Sequence, residues 1–148
     1  ELTEILNRTT EGHHAELNKV IAKDSFLEMQ QLVTQVPIAS HVKDYAVRLI
    51  QASHPNTETA APISNQYLRF GASPRGLQTL ALGGKVRALT QGRFNVSFDD
   101  IEAVALPAMR HRLLLNFEAE AEGITTDQII GEILKAVPRD LVAEPTAA

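Results

Sequence analysis

The amino-acid sequence predicts an all-α fold, a bundle of five to seven helices with at most short extended segments. Apolar residues recur at three- and four-residue spacing over most of the chain, the period of a helix that buries one face. Residues that start helices (Ser, Thr, Asp) and residues that stop them (Gly, Pro) bracket those runs. A length of 148 residues, 44% hydrophobic and 22% charged, suits one globular domain with its own core.

Leu2, Ile5 and Leu6 share a face of a first helix that dies out near Thr9-Thr10. Residues 11–24 are ambiguous, because Leu17, Val20 and Ile21 fit a short helix or a strand. Ser25, with Glu28 three residues on, has the pattern of a capping box; Leu27, Leu32 and Val33 follow, and Val36-Pro37 ends that helix. Ser40 is the expected cap of the next helix, whose face is Val42, Ala46, Leu49 and Ile50 and whose end is near His54-Pro55. Pro55 to Gly71 reads as loop, with "QYLRF" at its end extended or a single turn. The longest helix is expected from Pro74 to Gln91, with Leu77, Leu80, Ala81, Val86 and Leu89 inward and Gly92 just past its end. Ser97 caps another, with Asp100 at the third helical position, and Pro107 is expected to kink or break it. After "FEAEAEG", Thr125 or Thr126 caps a last helix that Pro138 closes.

Composition narrows the function classes. A net charge of −4 argues against nucleic acid as the main partner. Without cysteine there is no disulfide, thiolate nucleophile or cysteine-based zinc site, and the absence suits a reducing compartment; the expected location is cytoplasmic. No apolar run approaches the roughly 20 residues that span a bilayer. No signal peptide opens the chain, and "ELTEILNR" looks like a helix entered without a cap, so the sequence is expected to begin inside a domain that continues upstream.

The catalytic inventory is thin. "LGGKV" (Leu82 to Val86) lacks the phosphate-loop spacing and lies inside a helical pattern. Gly83 and Gly84 each cost a helix about 1 kcal/mol relative to alanine, so close approach of a neighbouring element is the expected reason for them. His13-His14 has no third ligand at metal spacing, and no metal site is expected. Asp99-Asp100 fits capping and dipole complementarity in a first turn, and "EAEAE" fits a solvated edge. Arg110, His111 and Arg112 fit either cations at the negative end of a helix or a subunit contact. A helix-turn-helix reading of the last helix lacks the basic residues it needs.

One motif raises a physical question. In "GASPRG", residues 71–76, Ser73 suits a helix N-cap and Pro74 the first helical position, where proline sacrifices no hydrogen bond. The next residue, Arg75, then faces the positive end of the helix dipole, at a cost of a few tenths of a kcal/mol. Arg75 is either a solvated side chain turned from the axis or one half of an anion site that the helix terminus completes.

"GASPRG", "KVRALTQGRFNVSFDDI" and "LPAMRHRLLLNFEAEAEGI", in this order and spacing, closely resemble the C-terminal lid region of MoxR-type AAA+ ATPases. The resemblance runs from Glu1 to about Pro138, which implies a helical lid domain over residues 1–138 and a frayed tail over 139–148. It implies that Arg75 is the sensor 2 arginine, reaching the γ-phosphate of ATP held by a preceding α/β core, with Ser73 beside it in the nucleotide-binding turn. ATP and Mg2+ are then cofactors of the longer parent protein, and this chain alone neither binds nucleotide tightly nor hydrolyses it. The implied partners are the upstream core, neighbouring subunits of a hexameric ring and proteins with von Willebrand factor A domains, in chaperone-like remodelling. From a different class, a freestanding helical interaction module without nucleotide chemistry also fits the residues.

Overall fold

The computed structural model describes residues 1–10 and 18–139, which fall into two compact units, Glu1–Gln30 and a second that starts at Gln31. In the first, α1 (Leu2–Thr10) has Leu2, Ile5 and Leu6 along one face, all exposed, and an Arg8–Glu4 ion pair one turn apart at 2.6 Å. Helix α2 (Lys23–Gln35) begins in the first unit and ends in the second. It starts at Lys23, so Ser25 lies inside its first turn and is not its cap. The local pattern Ser-x-x-Glu is present, but Lys23 and Asp24 already have helical backbone. Half of the ambiguous stretch, residues 11–17 with His13 and His14, lies outside the described residues.

The second unit holds α3 (Ser40–Ala52), α4 (Pro62–Tyr67), β1 (Leu68–Phe70), α5 (Pro74–Thr90), α6 (Phe98–Met109), β2 (Leu114–Leu115), α7 (Phe117–Glu122) and α8 (Thr126–Ala136). The all-α expectation is met. The described residues carry eight helices, because two six-residue helices add to the longer ones. One of these, α4, corrects the loop expected from Pro55 to Gly71: Ala61 is its N-cap and Pro62 its first residue. Too short to show a period, α4 is held by packing against α7 and α8. "QYLRF" divides between the end of α4 and β1, which pairs antiparallel with β2, Leu68 opposite Leu115 and Phe70 opposite Leu114.

The ends of the helices mostly follow local chemistry. At α6, Ser97 and Asp100 form the full capping box, and at α8 Thr125 and Gln128 do the same, which places the last cap at Thr125. Gly92 has φ +70, a left-handed conformation that suits glycine. It closes α5 with paired bonds, Gly92 N–H to the Leu89 carbonyl and Arg93 N–H to the Ala88 carbonyl, both 2.9 Å, the Schellman arrangement. Ser40 is displaced by one position: Ala39 is the N-cap of α3 and no side chain caps it. Pro107 does not break α6, because it sits in the last turn, where the helix ends two residues later at Met109.

The core gathers around α5. Its buried positions are Gly76, Leu80, Gly84 and Ala88, four apart and mostly small, so that α3 and α6 approach it closely. A β-carbon on Gly84 would lie 3.1 Å from Ile101 Cδ1 and from Val96 Cγ1; at Gly83 it would meet Val104 at 3.4 Å. Close approach thus accounts for Gly84, whereas at Gly83 a β-carbon would make only an ordinary contact. Val86, expected inward, is exposed, while Leu80 is fully buried and Leu77 and Leu89 pack at the margin of the core. Tyr45 and Leu49 of α3, Ile101 and Met109 of α6 and Ile129, Ile130 and Ile133 of α8 complete the interior.

Candidate functional site

The turn from β1 into α5 carries the motif. Ser73 is the N-cap residue, extended at φ −74, ψ 171, and Pro74 follows at the first helical position. The expected side-chain cap is absent: the exposed Ser73 hydroxyl makes no cap bond, and it is the Ser73 carbonyl that accepts from Gly76 N–H at 2.7 Å. Ser73 therefore contributes backbone geometry here. Arg75 is exposed, and no acid stands in the first turn of α5. Among the described residues its guanidinium has neither ion pair nor hydrogen bond; only its carbonyl is engaged, accepting from Thr79 Oγ1 at 2.7 Å.

Below the exposed arginine the backbone is tightly held. Ala72 is fully buried, and its N–H donates to Ser53 Oγ at 2.9 Å. Its carbonyl accepts from His54 Nε2 at 2.8 Å, so Nε2 carries the hydrogen. Ser53, itself fully buried, donates in turn to the Ile50 carbonyl at 2.6 Å. A β-carbon on Gly71 would lie 2.5 Å from the Ser53 carbonyl oxygen, which excludes any side chain there. Gly76 faces Ala72 and Ile50 closely enough that its β-carbon would sit 3.2 Å from each. Sequence reasoning missed Ser53 and His54, because their partners stand 19 and 18 residues away.

The other charged candidates are committed within the fold. Asp100 is buried at 1% exposure and takes a two-pronged bond from Arg93, 2.6 and 2.7 Å, besides the Ser97 bonds of the capping box. The Arg93 guanidinium, helped by Ser97, outweighs burial and holds the Asp100 carboxyl down at about 2. Capping was the legible part of its role; Arg93 was not legible. Asp99 instead meets Arg139 at 2.6 Å, and Arg139 also grips Glu102 through two bonds of 2.7 Å. Arg110 pairs with Asp127 of α8, while Arg112 turns toward α5, Nε to the Ala108 carbonyl at 2.9 Å and Nη2 to Thr79 Oγ1 at 3.2 Å. Within "EAEAE", Glu122 does more than face solvent: it accepts from the Tyr67 hydroxyl at 2.7 Å, and this bond is the first cause of a raised Tyr67 pKa. Among the described residues no cluster of three His, Asp or Glu side chains could hold a metal ion, and no helix is long and apolar enough to cross a membrane.

The arrangement offers one cation displayed at a helix N-terminus on a rigid backbone, a group suited to meeting an anion and not to acting alone as an acid, base or nucleophile. The AAA lid domain family matches residues 60–133, the stretch from just before α4 into α8. The "Uncharacterized protein YeaC" of Bacillus subtilis is 33% identical over 140 residues, covering 93% of this chain and 40% of that protein. "Chaperone MoxR1" of Mycobacterium tuberculosis is 26% identical over 119 residues, 80% of this chain and 32% of that protein. A crystal structure of a "putative ATPase" from Cytophaga hutchinsonii superposes with a TM-score of 0.77 at 32% identity, over 93% of this chain and 42% of that one. The chain therefore spans two fifths or less of the length of the curated relatives it matches, 40% and 32%. With its helical bundle, its "GASPRG" turn and these relatives, the chain belongs to the AAA lid domain family, as a lid of the MoxR type.

Proposed function

We propose that this lid serves a ring-forming, chaperone-like ATPase and that Arg75 is its sensor 2 residue, contacting the γ-phosphate of ATP bound by an α/β core. The observation that carries the proposal is the exposed Arg75 guanidinium, without an ion-pair partner among the described residues, at the N-terminus of α5. A cation in that place is unfavourable for the helix alone and becomes favourable when an anion joins it. The residues present fit a phosphate at this one point and supply no cradle for a whole nucleotide. When bound to the core, Mg2+ and ATP supply the transferable phosphoryl group and its charge. Arg75 orients toward that group and stabilises the charge that develops on it, and the lid moves with it as the nucleotide changes.

On this reading the lid packs on the core and on the next subunit of a hexameric ring in the cytoplasm, with von Willebrand factor A-domain proteins among its partners. The test uses the ATPase polypeptide that carries this chain together with its core. Arg75→Ala should slow hydrolysis by about 100-fold to 1,000-fold, the range for losing one charge-stabilising donor. Arg75→Glu should be as slow yet leave thermal unfolding unchanged or slightly raised, because an acid suits the first turn of a helix. An unchanged rate with unchanged assembly in Arg75→Ala removes the sensor role; a fall of many degrees in Arg75→Glu makes Arg75 a structural residue.

A further inference from the structure

We infer that Ser53 and His54, at the C-terminal end of α3, are positioning residues for Arg75, and that they act by gripping both backbone polar groups of Ala72. The inference rests on the sensor reading above. The Arg75 side chain has no partner among the described residues, so what aims it is its own backbone. Three residues upstream that backbone is fixed on both sides: Ala72 N–H to Ser53 Oγ at 2.9 Å, Ala72 carbonyl to His54 Nε2 at 2.8 Å. Both Ala72 and Ser53 are fully buried, so the bond between them cannot be replaced cheaply by water, and the His54 bond is part-buried beside it. Gly71 lets the strand end press against the Ser53 carbonyl, where a β-carbon would stand at 2.5 Å. Pro74 fixes φ in the next turn, and Thr79 holds the Arg75 carbonyl from above at 2.7 Å. From Gly71 to Arg75 the chain has one path, and α3 sets where it begins. A shift at Ala72 is passed to the guanidinium through only three residues. Reactions that depend on a placed charge lose about 100-fold for 1 Å of misplacement.

A merely structural clamp would also hold this turn, and a double-mutant cycle separates the two roles. In the ATPase polypeptide with its core, His54→Ala, His54→Gln and Ser53→Ala are each made with Arg75 present and with Arg75→Ala, and kcat, KM for ATP and thermal unfolding are read. Positioning predicts that His54→Ala lowers kcat about ten-fold or more with little change in KM. It predicts that His54→Gln, whose amide N–H has comparable reach, restores most of the rate, and that neither His54→Ala nor Ser53→Ala slows the Arg75→Ala enzyme further. Should His54→Ala fail to fold, Ser53→Ala, which removes one bond of the grip, carries the same cycle. Equal slowing in both backgrounds overturns the inference, since His54 and Ser53 would then act without Arg75. So does a normal kcat in His54→Ala and Ser53→Ala while Arg75→Ala is slow; in that case the sensor reading stands and only the clamp falls. If Arg75→Ala itself has a normal rate, the sensor reading fails and takes the clamp with it.

Discussion

Asp100 and Arg93 form a two-bond ion pair that joins the loop after α5 to the first turn of α6. The carboxylate is buried at 1% exposure and takes two guanidinium bonds from Arg93 and two bonds from Ser97, with Arg87 Nε in ion-pair range at 3.5 Å. Because its pKa is held at about 2 against an ordinary 3.8, it binds its proton less readily in the folded chain than in the unfolded one. Its contribution to stability is therefore complete above the unfolded value and is lost as the pH falls from about 4 to about 2, an amount of about 2 kcal/mol. Asp100→Asn removes the charge and leaves Arg93 without its charged partner, so the folded state should lose about 2–4 kcal/mol at neutral pH. Denaturant unfolding between pH 7 and pH 2 checks both points: the variant should start lower and lose less on acidification. An unchanged midpoint at pH 7 would mean that solvent replaces the pair at no cost.

At the scale of elements, the interior of the second unit is organised by a helix with little side chain on its buried line. Gly76, Leu80, Gly84 and Ala88 bring α5 against α3 and α6, and the two adjacent glycines differ in what surrounds them. At Gly84 an added β-carbon meets Ile101 and Val96 at 3.1 Å; at Gly83 it meets Val104 at an ordinary 3.4 Å. Gly83→Ala should therefore raise stability by up to about 1 kcal/mol through helix propensity. Gly84→Leu should lower it by about 1–3 kcal/mol, because the α5–α6 contact has no room for the side chain. Thermal unfolding of the two variants side by side tests this, and equal effects would contradict the packing described. The short element α4 shows the opposite economy: its start signal, proline at the first position, is visible in Ala61-Pro62, but six residues carry too little periodicity to be read as a helix without the neighbours that hold it.

For the molecule as a whole, closure comes from residues far apart in sequence. Arg139, beyond the last helix, bonds to Asp99 and Glu102 of α6, and Arg48 of α3 donates to the Arg139 carbonyl at 2.9 Å. Tyr45 adds its hydroxyl to Glu102 at 3.0 Å; burial first and this bond second push its pKa up. The Arg139 bonds hold Glu102 below the usual carboxylate range. Arg139→Ala should lower the melting temperature by a few degrees, roughly the scale of one modest interaction lost from a domain of this size. The effect should shrink at high salt, since the pairs are partly exposed, and a salt-independent loss would point to packing of the arginine stem instead. Expectations for the tail from residue 139 onward lie outside the described residues, apart from Arg139 itself.

What the sequence by itself determined is local. Apolar spacing, the Ser97 and Thr125 boxes, the glycine after α5 and the Ser-Pro-Arg helix start each act within about one turn of chain, so they can be read without knowing the fold. They sufficed for the helical class and for placing Arg75 at a helix N-terminus. Tertiary structure alone decided the rest: that Val86 stays outside while small residues line the buried side of α5, that Ser40 and Ser25 are not caps, that Asp100 belongs to Arg93, and that α3 holds the Ala72 backbone. Burial and ion pairing depend on which distant residues arrive at the same place, and the Ser53–Ala72 and Tyr45–Glu102 bonds bridge 19 and 57 residues. No local pattern records an encounter of that length.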